Sequence, residues 1–190
     1  MSKIRTFIAI EIAEAVRQEI VRVQEELIKA KERISWTRPE NIHLTLKFLG
    51  EVEEHKITPI AAVIESVAKE MHPFAFIVKD LGAFPNFRRA RILWVGVENA
   101  TEECAQISQN LETGLSNLGF RKEGRKFSPH LTIARVKAPL SKQFIDRIQN
   151  YDFEGGATQV KEIILMKSDL RPTGAIYMPL KKIKLKSKLV

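Results

Sequence analysis

Hydrophobic positions along the chain change period several times, and each change marks an element. Ile4, Ile8, Ile10 and Ile12 share one face at period two, which predicts a strand over Ile4–Ile12. Val16, Ile20, Val23 and Leu27 then recur at helical spacing, the signature of a long amphipathic helix. Pro39 interrupts, and Ile42 to Leu49 returns to strand character before Gly50. Ile57, Ile60, Ile64, Val67 and Met71 make a second helical stripe. Strands are expected around Phe74–Val78 and Ile92–Val97, separated by a loop holding Gly82, Pro85 and Asn86.

The second half repeats the theme. Cys104, Ile107, Leu111, Leu115 and Leu118 predict a third helix ended by Gly119. Ser128-Pro129 leads into a strand from His130 to Val136, and Phe144, Ile145 and Ile148 suggest a short helix. Further strands around Ile163–Met166 and Ala175–Leu185 finish the chain. No Ser/Gly-rich linker divides these elements. The expectation is an α+β fold, with two pseudo-symmetric lobes of antiparallel or mixed sheet and flanking helices around a central cleft. Residues 1–190 are read as a single compact bilobal domain.

Composition narrows the function classes. An apolar fraction of 44% with 28% charged residues is ordinary for a globular protein, and no stretch approaches the length of a membrane span. The N-terminus lacks the apolar core of a signal peptide. One cysteine, Cys104, cannot form an internal disulfide, so a reducing cytoplasm is expected. The net charge of +8 favours polyanionic partners, although 31 bases against 23 acids is also what a heat-adapted surface carries. No exposed apolar stripe stands out, so a monomer is expected, without membrane attachment.

The chemistry enters with a near-repeat. His43-Leu44-Thr45-Leu46 recurs as His130-Leu131-Thr132-Ile133, 87 residues later, in a chain with only four histidines. Strand alternation turns His and Thr to one side and the aliphatic residues to the other. Each motif therefore packs two aliphatics into a core and offers an imidazole and a hydroxyl opposite. If the halves face each other, two His and two Thr converge on one cleft, an arrangement suited to a tetrahedral phosphate. A histidine near its reference pKa of about 6.5 serves either as proton donor or as acceptor. A lone histidine reads more readily as structural, but a duplicated pair favours acid–base chemistry. A zinc site would need a third ligand at suitable spacing. None is present, since His55 and His72 fall at a loop or helix start and at a helix end, so neither metal nor cofactor is expected.

These residues resemble the two-histidine phosphoesterase superfamily with its paired His-x-Thr-x motifs. Within it they are most similar to the RNA 2′,3′-cyclic phosphodiesterases, historically called 2′-5′ RNA ligases. The resemblance runs through Arg5-Thr6-Phe7-Ile8-Ala9-Ile10, Trp36-Thr37, Asn41-Ile42 and Lys47-Phe48-Leu49-Gly50. It continues through Gly82-Ala83-Phe84-Pro85, Arg91 to Val97, Ser128-Pro129, Ala134-Arg135, Ser168-Asp169-Leu170 and Gly174 to Tyr177. It implies metal-independent hydrolysis of RNA 2′,3′-cyclic ends to 2′-phosphomonoesters. His43 would be the proton donor, His130 the proton acceptor, and Thr45 and Thr132 the phosphate ligands. It also implies RNA partners such as tRNA fragments, and a side activity of reversible 2′-5′ ligation. A phosphodiesterase for 2′-5′ linked oligonucleotides or small cyclic nucleotides, and a non-catalytic RNA-binding module, are the alternative readings.

Supporting residues carry two readings each. Arg135 lies five positions after His130, on the opposite face by strict alternation, and reaches substrate only if the strand bends or ends. Phe48 and Trp36 offer stacking surfaces for a base, or simply fill the core. Arg88, Arg89 and Arg91 form a basic turn available to an RNA backbone or merely solvated. Lys181 to Lys186 alternates lysine with aliphatics, as a protected edge strand does, with RNA contact as the second reading.

Overall fold

The computed structural model describes residues 2–172 and 174–186. In chain order the elements are β1 (Lys3–Glu11), α1 (Glu14–Ile28), β2 (Ile34–Trp36), β3 (His43–Glu53), α2 (Ile57–Lys69), β4 (Phe74–Phe84), β5 (Ile92–Glu98) and α3 (Thr101–Ser116). They continue with β6 (His130–Val136), α4 (Lys142–Gln149), β7 (Glu154–Val160), β8 (Glu162–Arg171) and β9 (Gly174–Lys184).

One sheet holds these strands in the order β7-β4-β5-β6-β3-β1-β8-β9, with β2 added beside β6. Every pairing is antiparallel, so the expected lobes are present without a parallel component. Read outward from the centre, β3-β1-β8-β9 mirrors β6-β5-β4-β7. The two halves meet at a single pair, Leu44 opposite Leu131, both fully buried. Helices cross over this seam. α1, from the first half, packs on β7, while α3, from the second half, packs on β3 and α2.

The predicted helix stripes are the core. Val16, Ile20, Val23 and Leu27 of α1, Ile60, Ile64 and Val67 of α2, and Cys104, Ile107, Leu111 and Leu115 of α3 are all buried in one cluster with Ile8, Ile10, Leu44 and Leu131. Differences from the pattern have local causes. β4 runs through Gly82, placed in a loop by sequence, because the indole of Trp94 lies where a Cβ would stand. β3 runs through Gly50, which takes φ +72° at a shift of register. β2 and β7 carry no readable pattern. β2 has three residues, and β7 (Glu-Gly-Gly-Ala-Thr-Gln-Val) has few aliphatics and is an edge strand. The lysine-rich stretch forms the other edge, β9, as its alternation suggests.

Candidate active site

Both motifs open their strands, His43 at the first residue of β3 and His130 at the first of β6. Along each motif the burial alternates as expected, with Leu44, Leu46, Leu131 and Ile133 inside. His43, Thr45, His130 and Thr132 turn the other way and line one cleft of about 1110 Å³. Antiparallel order about the Leu44–Leu131 pair sets His43 toward Thr132 and Thr45 toward His130, so the two motifs interleave.

Each imidazole is tied to main chain two residues upstream. His130 Nδ1 lies 2.7 Å from the Ser128 carbonyl oxygen. A carbonyl only accepts, so Nδ1 carries the proton and Nε2 is left for the cleft. His43 has the corresponding backbone hydrogen bond with Asn41. Aromatic rings then fix the imidazole planes. His43 stacks on Phe7 at 4.7 Å and meets the edge of Tyr177 at 5.3 Å. His130 meets Phe84 edge-on at 4.9 Å, with Trp94 at 6.5 Å. This apolar packing pushes both pKa values below the ordinary histidine value. Burial drives the His43 pKa to about 4, opposed by the Asn41 bond, and burial likewise lowers that of His130 against the Ser128 bond. Both rings are therefore neutral near pH 7.

Strict alternation fails one residue past each threonine, and in the same way twice. Ile8 faces Lys47 while Ala9 faces Thr45, which leaves Leu46 as an extra residue in β3. Leu93 faces Ala134 while Trp94 faces Thr132, which leaves Ile133 extra in β6. Such β-bulges reverse the facing of everything beyond them. Lys47 is turned inward, with its side chain 2% exposed and its ammonium 2.5 Å from Glu112 Oε1 and 3.1 Å from the Arg121 carbonyl. Phe48 is turned outward and is 59% exposed at the cleft. Arg135, expected on the far face, is carried to the cleft face by the bulge at Ile133. Phe48 and Arg135 thus occupy equivalent places, each five residues after its histidine.

Not every candidate arrives. Trp36 packs against the core from β2, and Arg88, Arg89 and Arg91 lie outside the cleft lining. Sequence reasoning passed over several residues that do line it. Tyr177, Phe84 and Leu170 form walls, with Leu170 64% exposed, and Arg5 stands at the rim. Lys122, Arg125 and Lys126 come from the loop between α3 and β6. The string Arg121-Lys122, Arg125-Lys126 just ahead of Ser128-Pro129-His130 was the available signal for that loop. Among the described residues no group of three His, Cys, Asp or Glu side chains is placed to hold a metal ion, and no helix is long and apolar enough to cross a membrane.

The family description "LigT like Phosphoesterase" matches residues 10–94 and again 95–177, each match holding one His-x-Thr motif. A protein of Methanocaldococcus jannaschii named RNA 2′,3′-cyclic phosphodiesterase is 41% identical over 179 residues, 93% of this chain and 98% of that one. One of the same name from Thermotoga maritima is 39% identical, covering 91% of each chain. A crystal structure of a Thermus thermophilus protein superposes with a TM-score of 0.83 at 27% identity, covering 97% of this chain and 100% of that chain. Escherichia coli LigT with 3′-AMP shares the fold at a TM-score of 0.79 and 24% identity, covering 97% of this chain and 99% of that one. A twofold motif in a twofold fold, matched over both halves, places this chain in the LigT-like phosphoesterase family.

Proposed function

We propose that the chain hydrolyses the 2′,3′-cyclic phosphate ends of RNA to 2′-phosphomonoesters, with His43 and His130 as the acid–base pair. The observation that carries the reading is the meeting of both His-x-Thr motifs in one cleft. Each histidine is held from behind by a backbone hydrogen bond. Water attacks phosphorus while His130 Nε2 takes its proton. The P–O3′ bond breaks, and His43 gives its proton to the departing 3′ oxygen. The products are a 2′-phosphomonoester and a free 3′-hydroxyl, and the two rings have exchanged protonation states. Thr45 and Thr132 donate hydrogen bonds to the non-bridging oxygens. Burial keeps His43 neutral near pH 7, so the anionic phosphodiester supplies the charge that makes its protonated form favourable.

Around that centre the walls divide the substrate. Phe48, in one cleft with Leu170 and Tyr177, offers a stacking surface for the terminal base. Arg135 and the loop cations Lys122, Arg125 and Lys126 meet phosphates of the RNA upstream of the cyclic end. The substrate in this reading is an RNA strand rather than a mononucleotide, tRNA fragments with cyclic ends among them.

The test is incubation with a 2′,3′-cyclic-phosphate oligonucleotide in EDTA, with products resolved by phosphate position. Accumulation of 2′-phosphate, abolished by His43→Ala or His130→Ala, is the expected result. No product from oligonucleotide or mononucleotide, with folded protein, would overturn the reading.

A further inference from the structure

The two bulges raise a question of support. A bulge interrupts the regular ladder of its strand pair, so the carbonyls beside it draw on partners from outside that pair. Buried polar side chains are scarce among the described residues: Thr6, Gln24, Lys47, Ser108, Thr158 and Ser168. Two of these six serve the bulges. Gln24 of α1 donates its two amide hydrogens from Nε2, one to the Ile133 carbonyl and one to the Thr37 carbonyl, each at 2.9 Å. The Thr37 N–H also reaches the Ile133 carbonyl, at 2.9 Å. Ser108 of α3 donates its hydroxyl to the Leu46 carbonyl at 3.4 Å.

The supports are crossed. α1 belongs to the first half yet holds the bulge of the second motif, and α3 of the second half holds the bulge of the first. Lys47, reversed by its bulge, is anchored to α3 as well, through Glu112.

We infer that Gln24 and Ser108 are positioning residues that fix the two bulges, Gln24 thereby aiming Arg135 into the cleft and Ser108 aiming Phe48. The inference rests on the reading of Arg135 and Phe48 as substrate contacts. Neither Gln24 nor Ser108 touches the reacting atoms, so each acts only through the residue it aims. Loss of a pin lets the strand relax toward regular alternation, which turns the aimed residue away from the substrate. The imidazoles are held separately by Ser128 and Asn41, so substrate affinity falls while the chemical step is kept.

Crossed double-mutant cycles on the full chain, with a cyclic-phosphate oligonucleotide as substrate, test this. Gln24→Met removes the donors at similar length and should raise KM about five- to tenfold with kcat within twofold. That loss should vanish in an Arg135→Ala background and persist in Phe48→Ala. Ser108→Val should show the reverse dependence, whereas Ser108→Thr, equal in size to valine but with the hydroxyl kept, should match the parent. The Ser108 pair carries the test if Gln24→Met does not fold. Losses that multiply in both backgrounds, or that fall on kcat alone, would overturn the inference and leave these residues as general packing. An unchanged KM in Arg135→Ala and Phe48→Ala would also overturn it, by removing its premise. His43→Ala scores the hydrolysis reading separately.

Discussion

The first and second half-sites share a skeleton and differ in their walls. In each, a histidine opens a strand and hydrogen-bonds the backbone two residues upstream, and an aromatic ring from another strand packs on it. A threonine follows at two residues, a bulge at three, and a cleft-facing side chain at five. The first half-site then builds in apolar material: Phe7, Phe48, Leu170 and Tyr177. The second adds Arg135, and the loop Lys122–Lys126, beside the Arg121 carbonyl that accepts from Lys47 of β3, brings further cations to the shared cleft. In the proposed reaction, symmetry would supply two matched proton carriers across one phosphate, and asymmetry would decide which way an RNA strand lies between them. A symmetrical site would bind the cyclic phosphate in two orientations and direct the proton to either oxygen. Under the proposed function, such unequal linings would favour a single productive orientation.

The largest expected effect falls on the shared skeleton. His43→Ala and His130→Ala should each lower kcat by about 10²–10⁴-fold, the usual worth of a positioned acid or base. The double variant should be little worse than either single one, since an acid and a base that work in one step fail together. Single-turnover rates on a cyclic-phosphate oligonucleotide measure this. Losses that multiply fully would mean that the half-sites act in separate steps.

How much of this was legible in the sequence depends on where regular alternation holds. It holds from His43 to Leu46 and from His130 to Ile133, so the duplicated motif, the shared face and the buried aliphatics could all be read directly. It breaks at the bulges, because the periodicity of residue types does not show where a strand takes up an extra residue. Alternation alone therefore leaves Phe48 as a choice between core and substrate surface, and sets Arg135 on the far face. The bulges turn both side chains to the cleft face, at the expense of burying the Lys47 ammonium, which Glu112 compensates. Tyr177 and Leu170 were invisible as site residues for another reason. They come from β9 and β8, distant in sequence, and only the sheet order brings them to β1 and β3. The basic loop was readable as charge but not as location.

A second comparison concerns the histidines themselves. Burial drives the His43 pKa to about 4, against about 6.5 for the unfolded chain. Below pH 6.5 the unfolded state binds the proton that the native state refuses, so stability falls as pH falls through that window. By pH 4 His43 alone should withdraw up to about 3 kcal/mol, at about 1.4 kcal/mol per pKa unit. His43→Phe, which keeps an apolar ring against Phe7 and Tyr177, should flatten that slope in urea melts between pH 6.5 and 4. The slope persisting unchanged in His43→Phe would show that other groups set the acid limb. The same depression gives the sign for catalysis. kcat/KM, which reports the free enzyme, should peak below pH 6.5 and decline above it as the donor loses its proton.

The walls should separate by substrate. Phe48→Ala should raise KM about tenfold for both mononucleotide and oligonucleotide, because a terminal base is present in each and stacking is worth about 1–3 kcal/mol. Arg135→Ala should cost comparably on the oligonucleotide and much less on the cyclic mononucleotide, which has no upstream phosphate. Equal losses on both substrates would move Arg135 from the strand to the cyclic phosphate itself.

The smallest effect is the one most specific to the basic wall. Each phosphate neutralised on a single strand adds about −0.7 to the slope of log affinity against log salt. Removing Lys122, Arg125 and Lys126 one at a time should therefore leave kcat unchanged and lower that slope by somewhat less than one unit each, as these side chains are exposed. Removing Arg88 or Arg89, which are exposed but lie outside the cleft lining, should leave it unaltered. The contrast matters because the whole chain carries +8, and bulk charge alone would make any lysine or arginine equivalent. A slope that responds to the loop and ignores the Arg88–Arg89 turn would locate the RNA at the loop. A slope that responds equally to both would return the attraction to the net charge, and the two half-sites would then differ only in how they hold the terminal nucleotide.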